Sequence, residues 1–129
     1  MKGKLKGNMA NPIPPEIHGQ KYISLTTFRK NGGGVRTPVW FGEEGDKLYV
    51  MTRSTMGKSK RIRNNPRVTI APCTVSGKVT GSEFSATARL LPPEQFTHAR
   101  QSINRKYWLA RMPLLWRNTD AYLEISLTA

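Results

Sequence analysis

The chain has 129 residues, enough for one domain and too few for a second full core. Lysine and arginine number 21 against 8 acids, a net charge of +13, with a hydrophobic fraction of 37% that still supports a core. One cysteine, Cys73, excludes an internal disulfide framework and a cysteine zinc cluster, and the two histidines, His18 and His98, stand far apart. No metal site is expected.

Residues 1–20 are charged and then proline-rich, without periodicity, and are expected to form a flexible arm ahead of a domain over 21–129. No apolar core of a secretory signal follows the basic start. No run approaches the roughly 20 apolar residues that span a bilayer, so a cytoplasmic location is expected. Lys21-Tyr-Ile-Ser-Leu-Thr-Thr-Phe-Arg29 reads as a strand, Lys30 to Gly34 as a turn, and Val35 to Phe41 as its hairpin partner. Pro38 cannot donate to a ladder, so it marks an edge, a bulge or an opening of the sheet. Glu43 to Asp46 reads as a turn and Lys47 to Thr52 as a third strand of an antiparallel meander.

The period then changes. Ser54 to Arg63 reads as a short helix capped by Ser54 or Thr55 and stopped by Asn64-Asn-Pro66. Arg67 to Thr74 is a fourth strand and Lys78 to Leu91 a long fifth one, kinked at Gly81. Pro92-Pro-Glu opens a second helix whose Phe96, Ala99, Ile103 and Tyr107 share a face. Trp108 to Trp116 reads as helical around Pro113, and Asp120 to Thr128 alternates as the last strand. The sum is mainly β: a six-stranded antiparallel barrel, closed or nearly so, with two or three short helices.

The strand-to-helix junction Met51 to Arg61 concentrates the chemistry. A helix N-terminus offers free N–H groups and the positive end of a dipole. Thr52, Ser54 and Thr55 add hydroxyls, Lys58 adds an ammonium, and Gly57 permits close approach of the backbone. Such a place suits a phosphate, although an ordinary capped helix with a solvated basic face has the same spacing. It is not a P-loop, because the required glycine spacing is missing. No nucleophile or acid–base pair is evident, so no protein catalytic residue is expected. Cys73 reads as a small buried hydrophobe. If the chain is an enzyme, a cofactor carries its chemistry.

Arg36-Thr-Pro-Val-Trp-Phe41, Gly45-Asp-Lys-Leu-Tyr-Val50, Gly57-Lys-Ser-Lys-Arg-Ile-Arg63, Asn65-Pro-Arg-Val68, Ala71-Pro-Cys73 and Ala88-Arg-Leu90 occur in order. In this the chain resembles the pyridoxamine-5′-phosphate-oxidase-like superfamily, nearest to its small probable F420-dependent oxidoreductases, from about Tyr22 onward. The resemblance implies a split β-barrel that forms a homodimer with cofactor sites between subunits. It implies a flavin or deazaflavin ring against Arg36, Thr37 and Pro38 and against Val50, Met51 and Thr52. It implies a phosphate at the short helix, held at Met56, Gly57 and Lys58 with Lys58 as the cation. Two residues depart from the pattern: Met56 replaces a small hydroxyl residue, and Trp108 follows Tyr107 where relatives often carry glycine.

The first expectation is therefore a redox enzyme using coenzyme F420 on a small-molecule substrate. Lys58, Lys60, Arg61 and Arg63 would form a basic groove for its anionic tail. FMN is the alternative within the same fold, and a non-catalytic flavin, haem or tetrapyrrole binder is the alternative outside catalysis. Nucleic acid ranks last, because no recognition motif accompanies the charge, and no membrane partner is expected.

Overall fold

A computed structural model of the chain describes residues 12–106 and 120–128. Its strands are β1 (Tyr22–Phe28), β2 (Gly34–Trp40), β3 (Gly42–Glu44), β4 (Lys47–Thr52), β5 (Arg67–Pro72), β6 (Phe84–Leu90) and β7 (Ala121–Leu127). Helix α1 (Gly57–Asn64) follows β4, and helix α2 (Phe96–Lys106) follows β6. The strands form one antiparallel sheet in the order β2-β1-β5-β6-β7-β4-β3.

Alternation along each strand sets the two faces. Ile23 and Leu25 of β1, Val68 and Ile70 of β5, Ala86 and Ala88 of β6, Leu123, Ile125 and Leu127 of β7, and Leu48 and Val50 of β4 share the inner face as one buried cluster. Each large member contributes about 1.5–3 kcal/mol on burial. The sheet has to curl around this cluster. β2 and β3 lie at its opposite edges, yet only Phe41 separates Trp40 from Gly42. Two Cα steps of about 3.8 Å cannot cross a flat sheet whose strands lie about 4.8 Å apart. The edges therefore meet at Phe41, which is fully buried. The barrel is closed at that end by the chain itself.

That closed end is plugged by a turn at residues 14–19. Ile17 N–H and His18 N–H both donate to Pro14 O, at 2.9 and 3.0 Å. Ile17 is fully buried in the core, while His18 Nδ1 lies 2.6 Å from Glu43 Oε1 and Ser82 N–H donates to Glu16 Oε2 at 2.9 Å. The described part of the expected arm is thus packed onto the barrel. At the open end α1 inserts Ile62 into the same core.

Helix α2 lies on the outer face. Ala99 and Ile103 pack on Tyr49, Tyr122 and Leu91, with Met51 and Phe96 at the margin. The helix approaches β3 so closely that a methyl on Gly42 would come 2.6 Å from Ile103 N and 2.7 Å from Ser102 C. Glycine at 42 is a condition of this docking. No helix among the described residues is long and apolar enough to cross a membrane.

The structure corrects the sequence reading in several places. There are seven strands rather than six among the described residues, because Glu43 and Glu44 pair with Leu48 and Lys47 instead of turning. The turn shrinks to Gly45-Asp46, with Gly45 at φ +61°. The β1–β2 hairpin forms as expected, but β4 does not extend it into a meander, since it pairs with β3 and β7. The expected fifth strand from Lys78 to Leu91 is regular only over Phe84–Leu90. Its first part folds back on the end of β5, where Thr74 N–H donates to Lys78 O and Thr80 N–H to Pro72 O, each at 2.9 Å. Tyr107 and the helix expected over Trp108–Trp116 lie outside the described residues.

Candidate functional site: a split in the barrel beside a basic helix start

Closure at Phe41 is local. β3 pairs only with Lys47, Leu48 and Tyr49. Residues 50–52 run past it with no strand paired on that side among the described residues. On the opposite lip stands β2, an edge strand. Arg29 N–H donates to Gly33 O at 2.9 Å, which fixes the ladder phase: Thr27–Val35, Leu25–Thr37 and Ile23–Val39 are the hydrogen-bonded pairs. The backbone groups of Arg36 and Pro38 therefore point away from β1, toward the split. The missing N–H of Pro38 falls on that open side and costs the ladder nothing. β2 and β4 approach each other across the gap. The two segments singled out in the sequence, 36–38 and 50–52, thus lie on the two strands that flank the split.

The side chains on these lips divide by face. Arg36 and Pro38 are exposed on the outer face, and Thr37 is half-buried on the inner one. Arg36 Nη2 lies 3.7 Å from Glu83 Oε2. Val50 is core, so only its backbone reaches the lip, and Met51 turns outward beneath α2. Thr52 is 5% exposed, and its hydroxyl has no hydrogen-bond partner. A buried hydroxyl left unpaired costs about 1–3 kcal/mol, so it marks a place for a ligand atom or a water.

Beyond Thr52 the chain turns into α1. The helix starts at Gly57, later than expected, with Met56 at its N-cap and no side-chain cap bond. The first intrahelical bond runs from Lys60 N–H to Met56 O at 3.2 Å, so the N–H groups of Gly57, Lys58 and Ser59 precede it. Ser54 does not cap the helix. Its N–H and its hydroxyl instead bond the Asp120 carboxylate, at 2.6 and 2.9 Å. The Ser59 hydroxyl donates to Arg53 O at 2.7 Å and ties the helix to the loop before it.

Lys58 is 7% exposed, and no carboxylate pairs with it among the described residues. Burial pushes its pKa down, and the nearby Arg61 guanidinium pushes it further the same way. Arg61 arches over the first turn: Nε donates to Thr27 Oγ1 at 2.6 Å, and a methyl on Gly57 would meet Nη1 at 2.7 Å. Two cations, a free helix start and an unsatisfied hydroxyl thus stand at the open end, and the Asp120 carboxylate of the same junction is taken up by Ser54 and pairs with neither cation. The four basic residues of α1 do not form one groove, however. Lys58 and Arg61 turn inward with Ile62, while Lys60 and Arg63 face solvent.

Met56, at 44% exposure, offers the site only its backbone. His98 lies on α2, with Nε2 2.5 Å from Glu44 Oε1. Cys73 is buried, and burial raises its pKa. Sequence reasoning missed the parts played by Thr27 and Asp120. The Asp120–Ser54 contact joins positions 66 apart, which only the β4–β7 register aligns.

The family model for pyridoxamine 5′-phosphate oxidase matches residues 13–120. None of the curated proteins matches the chain. Among solved structures, an F420 reductase superposes with a TM-score of 0.64 at 18% identity, over 91% of this chain and 97% of its own. The heme storage protein HutZ of Vibrio cholerae gives 0.66 at 14%, over 85% and 82%. Protein Atu2129 of Agrobacterium tumefaciens, of unknown function, gives 0.66 at 15% over 83% of this chain, which spans only 48% of that protein. At such identities these likenesses carry the fold, which is the same curled sheet. With the family match over residues 13–120 and a barrel split between β2 and β4, the chain belongs to the pyridoxamine 5′-phosphate oxidase-like split-barrel family.

Proposed function

We propose that the protein is an oxidoreductase that holds coenzyme F420 along the split, with its phosphate at the start of α1. One observation carries this reading: Lys58, a side chain only 7% exposed, lies beside a second cation, Arg61, and no carboxylate pairs with either among the described residues. Keeping such a pair together is unfavourable until an anion arrives, and charge-assisted bonds then reward it. The orphan Thr52 hydroxyl and the first-turn N–H groups of α1 are further donors for the same phosphate. The backbone of Arg36 and Pro38 and that of residues 50–52 would position the ring's edges. The deazaflavin itself would carry the hydride, and the protein's share is to bind, orient and shield it. The site is read as completed by a second copy of the chain, since β2 and residues 50–52 both present edges with no strand paired on that side among the described residues.

FMN is the second reading, because a phosphate monoester also suits Lys58 and Arg61. Haem gains no such support: the groups gathered at the start of α1 are cations and phosphate-type donors, and neither His18 nor His98 is among them. Parallel titrations with F420 and FMN, followed by fluorescence and absorbance, test the proposal. Saturable F420 binding that Lys58→Ala weakens is expected. If neither cofactor binds the folded protein at ~100 μM (about −5.5 kcal/mol), the proposal fails.

A further inference from the structure

We propose that Asp120 is a positioning residue for the anion site, its carboxylate clasping the junction loop so that the first turn of α1 faces the split. This rests on the site reading above. Ser54 and Thr55 form a turn that lies between β4 and α1. Nothing apolar pins this stretch: Arg53, Thr55 and Met56 are exposed. Asp120 does so by polar contacts. Oδ1 accepts from Ser54 N–H at 2.6 Å, Oδ2 accepts from the Ser54 hydroxyl at 2.9 Å, and Asp120 N–H donates to Thr52 O at 3.2 Å. One residue thus grips the loop on both sides of Arg53, immediately after the unpartnered Thr52 hydroxyl and four residues before Lys58. The loop's other end is held by Ser59, whose hydroxyl bonds Arg53 O. Arg53 is therefore fixed from both directions, and the direction of α1 follows. The Ser54 bonds also hold the Asp120 carboxyl below its ordinary pKa, so it remains a two-oxygen acceptor near neutrality.

A carboxylate beside an anion site should weaken anion binding by charge alone. A residue that acts through its charge and one that acts through its geometry therefore predict opposite signs. Asp120→Ala removes both; Asp120→Asn removes the charge but keeps an acceptor for Ser54 N–H and offers a donor to the Ser54 hydroxyl. Ser54→Ala keeps the backbone bond and loses the hydroxyl one.

The test is F420 affinity by fluorescence titration for the three variants, with thermal unfolding alongside. D120A is expected to weaken binding roughly ten-fold, about the worth of one hydrogen bond. D120N should bind as the wild type does or slightly tighter, and S54A should fall between. Tighter or unchanged binding by D120A overturns the proposal, and so does an equal loss in D120A and D120N. If D120A does not fold, S54A and D120N decide: unchanged binding by S54A, or a loss in D120N, overturns it. Lys58→Met separates the two levels of the argument. If it leaves affinity intact, the site reading fails. If it weakens binding while D120A does not, only the clasp fails.

Discussion

Lys58→Met should have two effects of opposite sign. The substitution keeps the length and apolar stem of a side chain that is 7% exposed and removes only its charge. Without cofactor, that charge is a liability: burial and Arg61 both disfavour it, and no carboxylate offsets it among the described residues. Removing it should stabilise the free protein by roughly 0.5–2 kcal/mol, the usual range when a functional site is relieved. At about 3–5 °C per kcal/mol for a chain of this size, the melting point should rise by several degrees. With cofactor, the same charge is a binding contact, and its loss should cost about 1.5–3 kcal/mol, or about ten- to a hundred-fold in affinity. Differential scanning fluorimetry with and without F420, together with a fluorescence titration, reads both effects. A variant that melts below the wild type without cofactor would refute the claim that Lys58 is held unpaired. Unchanged F420 affinity would refute its role as the phosphate cation.

Gly42→Ala should destabilise by about 1–3 kcal/mol in urea unfolding, because its methyl would meet α2 backbone atoms 2.6 and 2.7 Å away; a cost under about 0.5 kcal/mol would place α2 elsewhere. Affinity for F420 should fall at alkaline pH. A bound phosphate favours the charged ammonium, so binding is full below the depressed Lys58 pKa and is lost as pH rises through it, earlier than for an ordinary lysine near ~10.4. Lys58→Arg should carry that alkaline limb past pH ~12, and an identical limb in both proteins would assign it to another group. His98→Ala should leave the turnover rate nearly unchanged and cost up to about 1 kcal/mol of stability through its lost contact with Glu44. A rate loss of ~10²-fold or more would identify His98 as an acid or base.

The parts of this fold governed by local pattern were legible in the sequence. The β1–β2 hairpin follows from alternation around Lys30 to Gly34, and the edge position of β2 from Pro38. The strand-to-helix junction was legible because the alternation of β4 gives way to hydroxyls, glycine and lysine within eleven residues. What could not be read depended on partners distant in sequence. Glu43 and Glu44 look like turn residues, and only the curl of the sheet makes them a strand. Ser54 looks like a cap because caps are judged locally; its partner, Asp120, arrives with β7. Burial was equally hidden. Lys58 and Lys60 are two positions apart and alike in type, but the packing of Ile62 turns one inward and leaves the other in water.

The pairing of β4 with β7 has a consequence for the order of folding. β1 and β2 form a hairpin across a five-residue turn, whereas Lys47 of β4 waits for Ser126. Contacts this distant in sequence close late, since loop entropy is spent before they return anything. The 50–52 lip therefore gains its supporting neighbour only when β7 docks, and a nascent chain that has not yet exposed β7 holds half a cleft. A cofactor bound between the lips would recognise only the finished barrel. It would slow unfolding without speeding folding, prolonging the life of each folded molecule without helping new ones to form.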